Sequence, residues 1–171
     1  MAHWNLHHWF FGYADSTEAV GYQCLTAVQS VVQALGLTGV SSDDVVVKKL
    51  PLVRSVANDG LSYPAIIISP GRPVLPPAAG SNREDDVVYA VGITLLDTDN
   101  QERTLAAELN TRLSWIRDIR RAFHNKTLSG VSSVYQCVVE QSDPVWPAGW
   151  AANLWVTSLT IRCYSRQNRN N

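Results

Sequence analysis

The sequence has little charge, no long apolar run and no excess of either sign. Of its 171 residues, 17% are charged, and the formal net charge is −1. Proteins that attract nucleic acid or anionic membranes over a whole surface carry a clear excess of Lys and Arg, so such binding would need a local patch here. No run approaches the roughly 20 apolar residues of a membrane span. The N-terminus also lacks the basic and apolar regions of a signal peptide.

Cysteines are few and the common catalytic motifs are absent. Cys24, Cys137 and Cys163 lie far apart in the sequence and without metal-ligand spacing, which predicts three reduced thiols in the core. The sequence contains no dinucleotide-binding glycine motif, no P-loop, no GxSxG and no HExxH. Two acidic pairs, at 43–44 and 85–86, precede predicted strands with no histidine nearby. We therefore expect no catalytic residues, no metal site and no cofactor.

Two stretches have helical periodicity. The first spans about 16–35, with Asp15 and Glu18 at capping-box spacing and Gly36 placed to end the helix. The second spans about 104–124. Its predicted core stripe, within about 120° of arc, consists of Leu105, Leu109, Leu113, Ile116, Ile119 and Phe123.

Five stretches are rich in apolar and β-branched residues and are predicted to be strands: 45–50, 65–71, 87–97, 134–141 and 153–166. The stretch 87–97 is apolar on both faces, which predicts a central strand. The proline-containing stretches 72–86 and 142–152 are predicted loops. The order helix, three strands, helix, two strands predicts an α+β fold in which two helices pack on one mixed, mainly antiparallel sheet of about five strands.

The predicted organisation is one domain with two short extensions. The domain covers 15–166, an aromatic N-terminal arm covers 1–14, and a polar tail covers 167–171. His3, His7 and His8 of the arm have no cysteine or carboxylate beside them, so they make a poor structural metal site.

Aromatic residues outside regular elements are the main candidates for contacts with other molecules, because aromatic side chains are enriched in protein interfaces. The candidates in the arm and in the 142–152 connection are Trp4, Trp9, Phe10, Trp146 and Trp150. Trp115 joins them because it lies about 40° outside the predicted core stripe of the second helix. The alternative is that each of these side chains packs on the core of its own domain.

Three arginines of the second helix form a further candidate surface. Arg103, Arg117 and Arg121 cluster on the side away from the apolar stripe. They are predicted to face a neighbouring subunit or, less favourably, DNA, because no wider basic excess accompanies them. The alternative is an ordinary solvated helix face.

The element order resembles the tail terminator, or tail completion, proteins of long-tailed bacteriophages and related prophage-like elements. The similar segments are "AIIISPG", "RLSWIRDIRRAF" and "LWVTSLTIRCYSR", and the resemblance covers about 16–166. The aromatic arm is not part of the pattern.

The resemblance implies a structural virion protein at the head–tail junction, made in the host cytoplasm, with no catalysis and no membrane contact. Such proteins form a ring, usually a homohexamer, on the head-proximal end of the tail tube. Their implied partners are other copies of themselves, the tail tube protein and a head–tail connector or neck protein. DNA passes through the lumen without sequence recognition. Two alternatives are a neck protein of related fold and a small α+β enzyme or ligand-binding protein with a site near the 72–86 loop.

Overall fold

The structure is a computed structural model that describes residues 19–49, 60–74, 84–98, 106–141 and 154–168. Within these ranges the helices and strands follow the predicted order. They are α1 (Val20–Ala34), β1 (Val45–Val47), β2 (Ala65–Pro70), β3 (Glu84–Thr98), α2 (Ala106–Phe123), β4 (Val134–Gln141) and β5 (Leu154–Asn168). A short 3₁₀ turn, Ser42–Asp44, leads into β1.

The strands form one mixed sheet in the order β1-β2-β3-β5-β4. β1 and β2 are parallel, and the other neighbours are antiparallel. β3 is the middle strand, as its two apolar faces predict, and it pairs with β5 along its whole length. The predicted α+β fold with a five-stranded, mainly antiparallel sheet is therefore confirmed.

Both helices cover the same face of the sheet and share one core. α1 buries Cys24, Leu25, Val28 and Val32. α2 buries Trp115, Ile116, Ile119 and Phe123. The sheet contributes Ile66, Ile68, Val91, Ile93, Leu95, Leu159 and Ile161 to the same cluster. Burial of this apolar surface is the main force that holds both helices on the sheet.

The opposite face of the sheet is divided between apolar and polar residues. A small buried cluster on this face consists of Ile67, Leu96, Leu154 and Val156. Further along the strands the face is polar. The Arg166 guanidinium lies 2.9 Å from an Asp86 carboxylate oxygen and holds the pKa of that carboxyl below its usual value. Ser158, Thr160, Arg162 and Tyr164 alternate with the buried residues Leu159, Ile161 and Cys163 of β5, as predicted, whereas Val156 is buried.

The end of α1 agrees with the prediction and its start does not. Gly36 follows the helix with a φ of 56°, the left-handed conformation typical of a terminating glycine. The N-cap is Ala19, which makes no side-chain capping bond, so the predicted N-cap at Asp15 is wrong. Asp15 and Glu18 themselves lie outside the described residues. The helix begins where its core-facing residues begin, because most helical stability in proteins comes from tertiary packing.

Two strands are longer than predicted. β3 begins at Glu84, inside the predicted 72–86 loop, and β5 reaches Asn168, inside the predicted tail. These ends pair with each other, from Glu84 with Asn168 to Asp86 with Arg166. The pairing of β3 with β5 therefore continues through polar residues, which a prediction based on apolar periodicity does not assign to strands.

The two edge strands have hydrogen-bond partners on their outer sides. The Gln29 amide nitrogen of α1 donates to the Val45 carbonyl of β1 over 2.8 Å. On β4, the Cys137 N–H donates to the Lys126 carbonyl over 2.7 Å, and the Asn125 N–H donates to the Cys137 carbonyl over 2.8 Å. In the part of the chain described, neither helix has the length and apolarity needed to cross a lipid bilayer.

Candidate assembly surface

Of the nine predicted interface residues, the structure describes three. Trp115, Arg117 and Arg121 lie on α2. The other six lie outside the described residues: Trp4, Trp9, Phe10, Arg103, Trp146 and Trp150. The connection 142–152 is also outside them, and of the 72–86 loop only 72–74 and 84–86 are described.

Trp115 is a core residue, so its assignment to an interface is corrected. Only 3% of its surface is exposed. Its ring packs edge-on against Trp155 with the centroids 6.3 Å apart. Its indole N–H donates to the Thr38 carbonyl over 3.1 Å, which ties α2 to the segment that follows α1. A contact with another subunit would have to break this packing.

The correction has a geometric cause, because α2 is rotated relative to the prediction. At 100° per residue, the buried side centres about 50° from the predicted stripe, toward Arg112 and Trp115. Leu109 and Leu113, predicted as core residues, are 45% and 53% exposed. The predicted core positions at Ile116, Ile119 and Phe123 are confirmed. Leu105 lies outside the described residues.

Arg112 explains the rotation of α2. Its guanidinium is buried and donates to an Asp97 carboxylate oxygen over 2.9 Å and to the Thr98 carbonyl over 2.8 Å. It also lies over the Trp155 ring, 5.3 Å from the centroid. A buried charge is tolerated when it is paired and hydrogen-bonded in this way. An arginine within an apolar arc, three residues before a tryptophan, is the sequence signal that could have revealed the rotation.

The exposed side of α2 borders a cavity of about 530 Å³. We call this surface the α2 groove and define it by its lining residues, which are Leu113, Ile116, Arg117, Arg120, Arg121 and His124. Leu109 lies one turn before Leu113 on the same side. An exposed pair of leucines beside this cavity is an apolar surface available for contact.

The charges along the α2 groove are only partly paired. Arg117 pairs with Asp118 over 2.8 Å, which raises the pKa of Arg117 and lowers that of Asp118. Arg120 and Arg121 are exposed and form no ion pair with any residue in the described ranges, although the charge of Arg121 helps to lower the pKa of Asp118. The described lining of the groove therefore combines three arginines with two apolar side chains, Leu113 and Ile116.

The α2 groove opens toward the β4 edge of the sheet, away from α1. His124 accepts a hydrogen bond at Nδ1 from the Val139 N–H of β4 over 3.2 Å. Trp115, on the other side of the helix, reaches Thr38 at the end of the α1 segment. α2 thus separates α1 from the groove.

The three cysteines, distant in sequence, meet in the core. All are free and fully buried. Cys137 and Cys163 are directly paired across β4 and β5, with 3.9 Å between their sulfur atoms. Contacts with Cys137 and Cys24, together with burial, raise the pKa of the Cys163 thiol far above its usual range. The contact with Cys163 lowers the pKa of the Cys137 thiol. Since all three thiols are free and buried, the prediction of core thiols is confirmed.

The described residues contain no cluster of three or more His, Cys, Asp or Glu side chains that could hold a metal ion. The acidic pairs at 43–44 and 85–86 are engaged in local bonds. Asp44 accepts from the Ser62 N–H over 3.0 Å, and Asp86 pairs with Arg166.

Comparison with known proteins gives a structural neighbour and no family. No family model matches the sequence, and no curated protein matches it. Among solved structures, the chain is similar to one from the virion of a native gene transfer agent particle. The identity is 15%, the coverage is 86% of this chain and 92% of the other, and the TM-score is 0.48. At that identity and score the likeness assigns no function.

Proposed function

We propose that the chain is a structural virion protein, a tail terminator that forms a ring on the head-proximal end of the tail tube. The ring stops tube polymerisation and docks to the head connector, and DNA passes through its lumen. The observation that carries the proposal is the element order, with both helices on one face of a mixed sheet. This is the fold that the sequence resemblance implies.

The surface of the described residues suits a protein that works by contact. A ring of identical subunits needs heterologous contacts, so each subunit must present two different patches that fit each other. The α2 groove supplies one candidate patch, with exposed leucines beside unpaired arginines. Arg117 and Arg121 therefore stay in the proposed interface.

The remaining proposed contacts lie outside the described residues. They are Trp4, Trp9, Phe10, Arg103, Trp146 and Trp150. The proposed partners are other copies of the chain in a homohexamer, the tail tube protein and the connector or neck protein. A neck protein of related fold would share the ring but bind the connector rather than the tube.

The test is assembly of the purified protein. Size-exclusion chromatography with light scattering, followed by electron microscopy, should show rings, either alone or after addition of tail tubes. Tubes capped at one end, and no longer growing in the presence of tube protein, would support the terminator role. A protein that stays monomeric at high concentration and also fails to bind tubes contradicts the proposal. Rings that bind connector and not tube would favour a neck role.

A further inference from the structure

The α2 groove has the composition of a site for an aromatic segment. Its lining is partly apolar, and Leu109 and Leu113 are about half exposed. In most helices these positions, one turn apart, would be covered by the protein's own core. The core side of α2 is already filled by Trp115, Ile119 and Phe123.

The arginines that line the groove favour an occupant without positive charge. Arg120 and Arg121 have no ion-pair partner among the described residues, and Arg117 has only its neighbour Asp118. A guanidinium binds carboxylates in pairs of hydrogen bonds and also stacks on aromatic faces. An occupant should therefore be aromatic, with neutral or acidic flanks and no Lys or Arg.

The chain itself contains a segment of that chemistry. Residues 1–18 contain no Lys or Arg; their imidazole and carboxylate side chains are His3, His7 and His8 in the arm, and Asp15 and Glu18 after it. Their large aromatic residues are Trp4, Trp9, Phe10, Phe11 and Tyr13. An extended segment of this length can reach about 60 Å from Ala19, far enough to meet a neighbouring subunit.

We infer that the arm, residues 1–14 of one copy, binds in the α2 groove of the next copy. Aromatic side chains of the arm contact Leu109 and Leu113, and the arginines that line the groove stack on the aromatic rings. The inference rests on the proposed ring, and it identifies the contact that closes the ring. An arm and a groove are two different patches on one subunit, which is what a head-to-tail ring requires.

The geometry favours binding between copies over binding within one copy. The arm leads into α1, and α2 stands between α1 and the groove. In a chain that filled its own groove, the arm would have to pass around α2.

The experiment mixes two full-length variants, each lacking one half of the contact. One variant lacks residues 2–11. The other carries Leu113→Ser with Arg120→Glu. Both changes lie outside the described core, so circular dichroism should show folded protein in each case. Each variant alone should be monomeric, and an equimolar mixture should give a dimer by light scattering, because one intact arm then meets one intact groove. A mixture that stays monomeric overturns the inference.

A second measurement identifies the occupant directly. A fluorescent peptide of residues 1–18 should bind the variant lacking 2–11, and at least tenfold more weakly when Leu113→Ser is added. Tyr135→Ala is the matched control, because Tyr135 is similarly exposed but belongs to β4 rather than to α2, and binding should not change. Equal peptide binding to the Leu113→Ser protein overturns the inference. So does a groove that binds a short DNA duplex through Arg120 and Arg121 but not the peptide.

The outcomes separate this inference from the proposed function. If the variant lacking 2–11 still forms rings, the arm does not close them and the inference fails, while the ring stands. If the native protein forms head-to-tail oligomers that do not bind tubes, and the mixture gives a dimer, the arm–groove contact between copies stands and the proposed function fails. A native protein that stays monomeric although the mixture gives a dimer fills its own groove with its own arm, which overturns the inference.

Discussion

The two helices lie on the same face of one sheet, yet their exposed sides differ in charge. α1 contains no Asp, Glu, Lys or Arg in its 15 residues. α2 exposes Arg117, Arg120 and Arg121 together with two leucines. Since both helices bury the same kind of apolar surface, the core does not explain the difference.

The polar residues of α1 are engaged with their own molecule. Gln29 donates to the Val45 carbonyl, and Gln33 donates to the Ser42 carbonyl over 3.0 Å. Thr26 and Ser30 donate to carbonyls of preceding turns of the helix. The exposed surface of α1 therefore has no ionic group and one large aromatic residue, Tyr22, whereas that of α2 has arginines and two leucines. The comparison teaches that two helices with similar buried sides can be distinguished by the hydrogen-bond partners of their exposed polar side chains.

The largest expected effect on stability concerns the core, to which both helices contribute. Phe123→Ala in α2 should lower the free energy of unfolding by about 3–5 kcal/mol. Val28→Ala in α1 should lower it by about 2 kcal/mol, because fewer buried carbon atoms are lost. Urea denaturation followed by circular dichroism measures both. A loss below about 1 kcal/mol for Phe123→Ala would show that α2 does not share the core.

The next largest expected effect on stability concerns the buried charge of Arg112 in α2, which has no counterpart in α1. Arg112→Ala should cost roughly 3 kcal/mol, because it leaves the Asp97 carboxylate and the Thr98 carbonyl without their donor. The double variant Arg112→Met with Asp97→Asn should recover part of that loss, since no unpaired charge remains. Thermal denaturation of the three proteins compares them. Equal losses for the single and double variants would mean that packing, not charge, sets the cost.

A smaller effect is expected at the link between the two helices. Trp115→Phe keeps an aromatic ring but removes the indole donor to the Thr38 carbonyl, which should cost about 1–2 kcal/mol. Chemical denaturation measures the loss. The NMR signal of the Trp115 indole N–H should be protected from exchange in the native protein. Rapid exchange of that proton would contradict its burial.

The smallest expected effects on stability compare the exposed sides of α1 and α2. Gln29→Ala should cost about 1 kcal/mol, because it removes the donor to the β1 edge. Arg120→Ala should change stability by less than about 0.5 kcal/mol, because the side chain is exposed and unpaired. Hydrogen exchange at β1 should be faster in the first variant only. A destabilisation by Arg120→Ala as large as that by Gln29→Ala would remove the distinction between the helices.

The sequence predicts the elements well because their apolar periods are clear. β4 has the predicted bounds, and the four-residue apolar run of β2 is buried as expected. The ends of β3 and β5 are missed because they are held by pairing between polar residues, such as Asp86 with Arg166, which no apolar period marks.

The candidate surface is harder to predict than the fold. The apolar residues of α2 are compatible with two orientations of the helix about its own axis, which differ by about 50°. The orientation that is adopted depends on whether the Arg112 side chain can be buried. That depends on Asp97 and Thr98, which are distant in sequence and become neighbours only in the folded chain. The meeting of the three cysteines depends on strand register in the same way.

The partners on the sheet edges have a consequence for self-association. Unpaired edge strands let sheets extend from molecule to molecule without limit, which leads to fibres. Here Gln29 covers part of one edge, and 125–126 cover part of the other. An incoming strand would have to displace these bonds before pairing. Open-ended growth of the sheet from copy to copy is thus opposed at these positions.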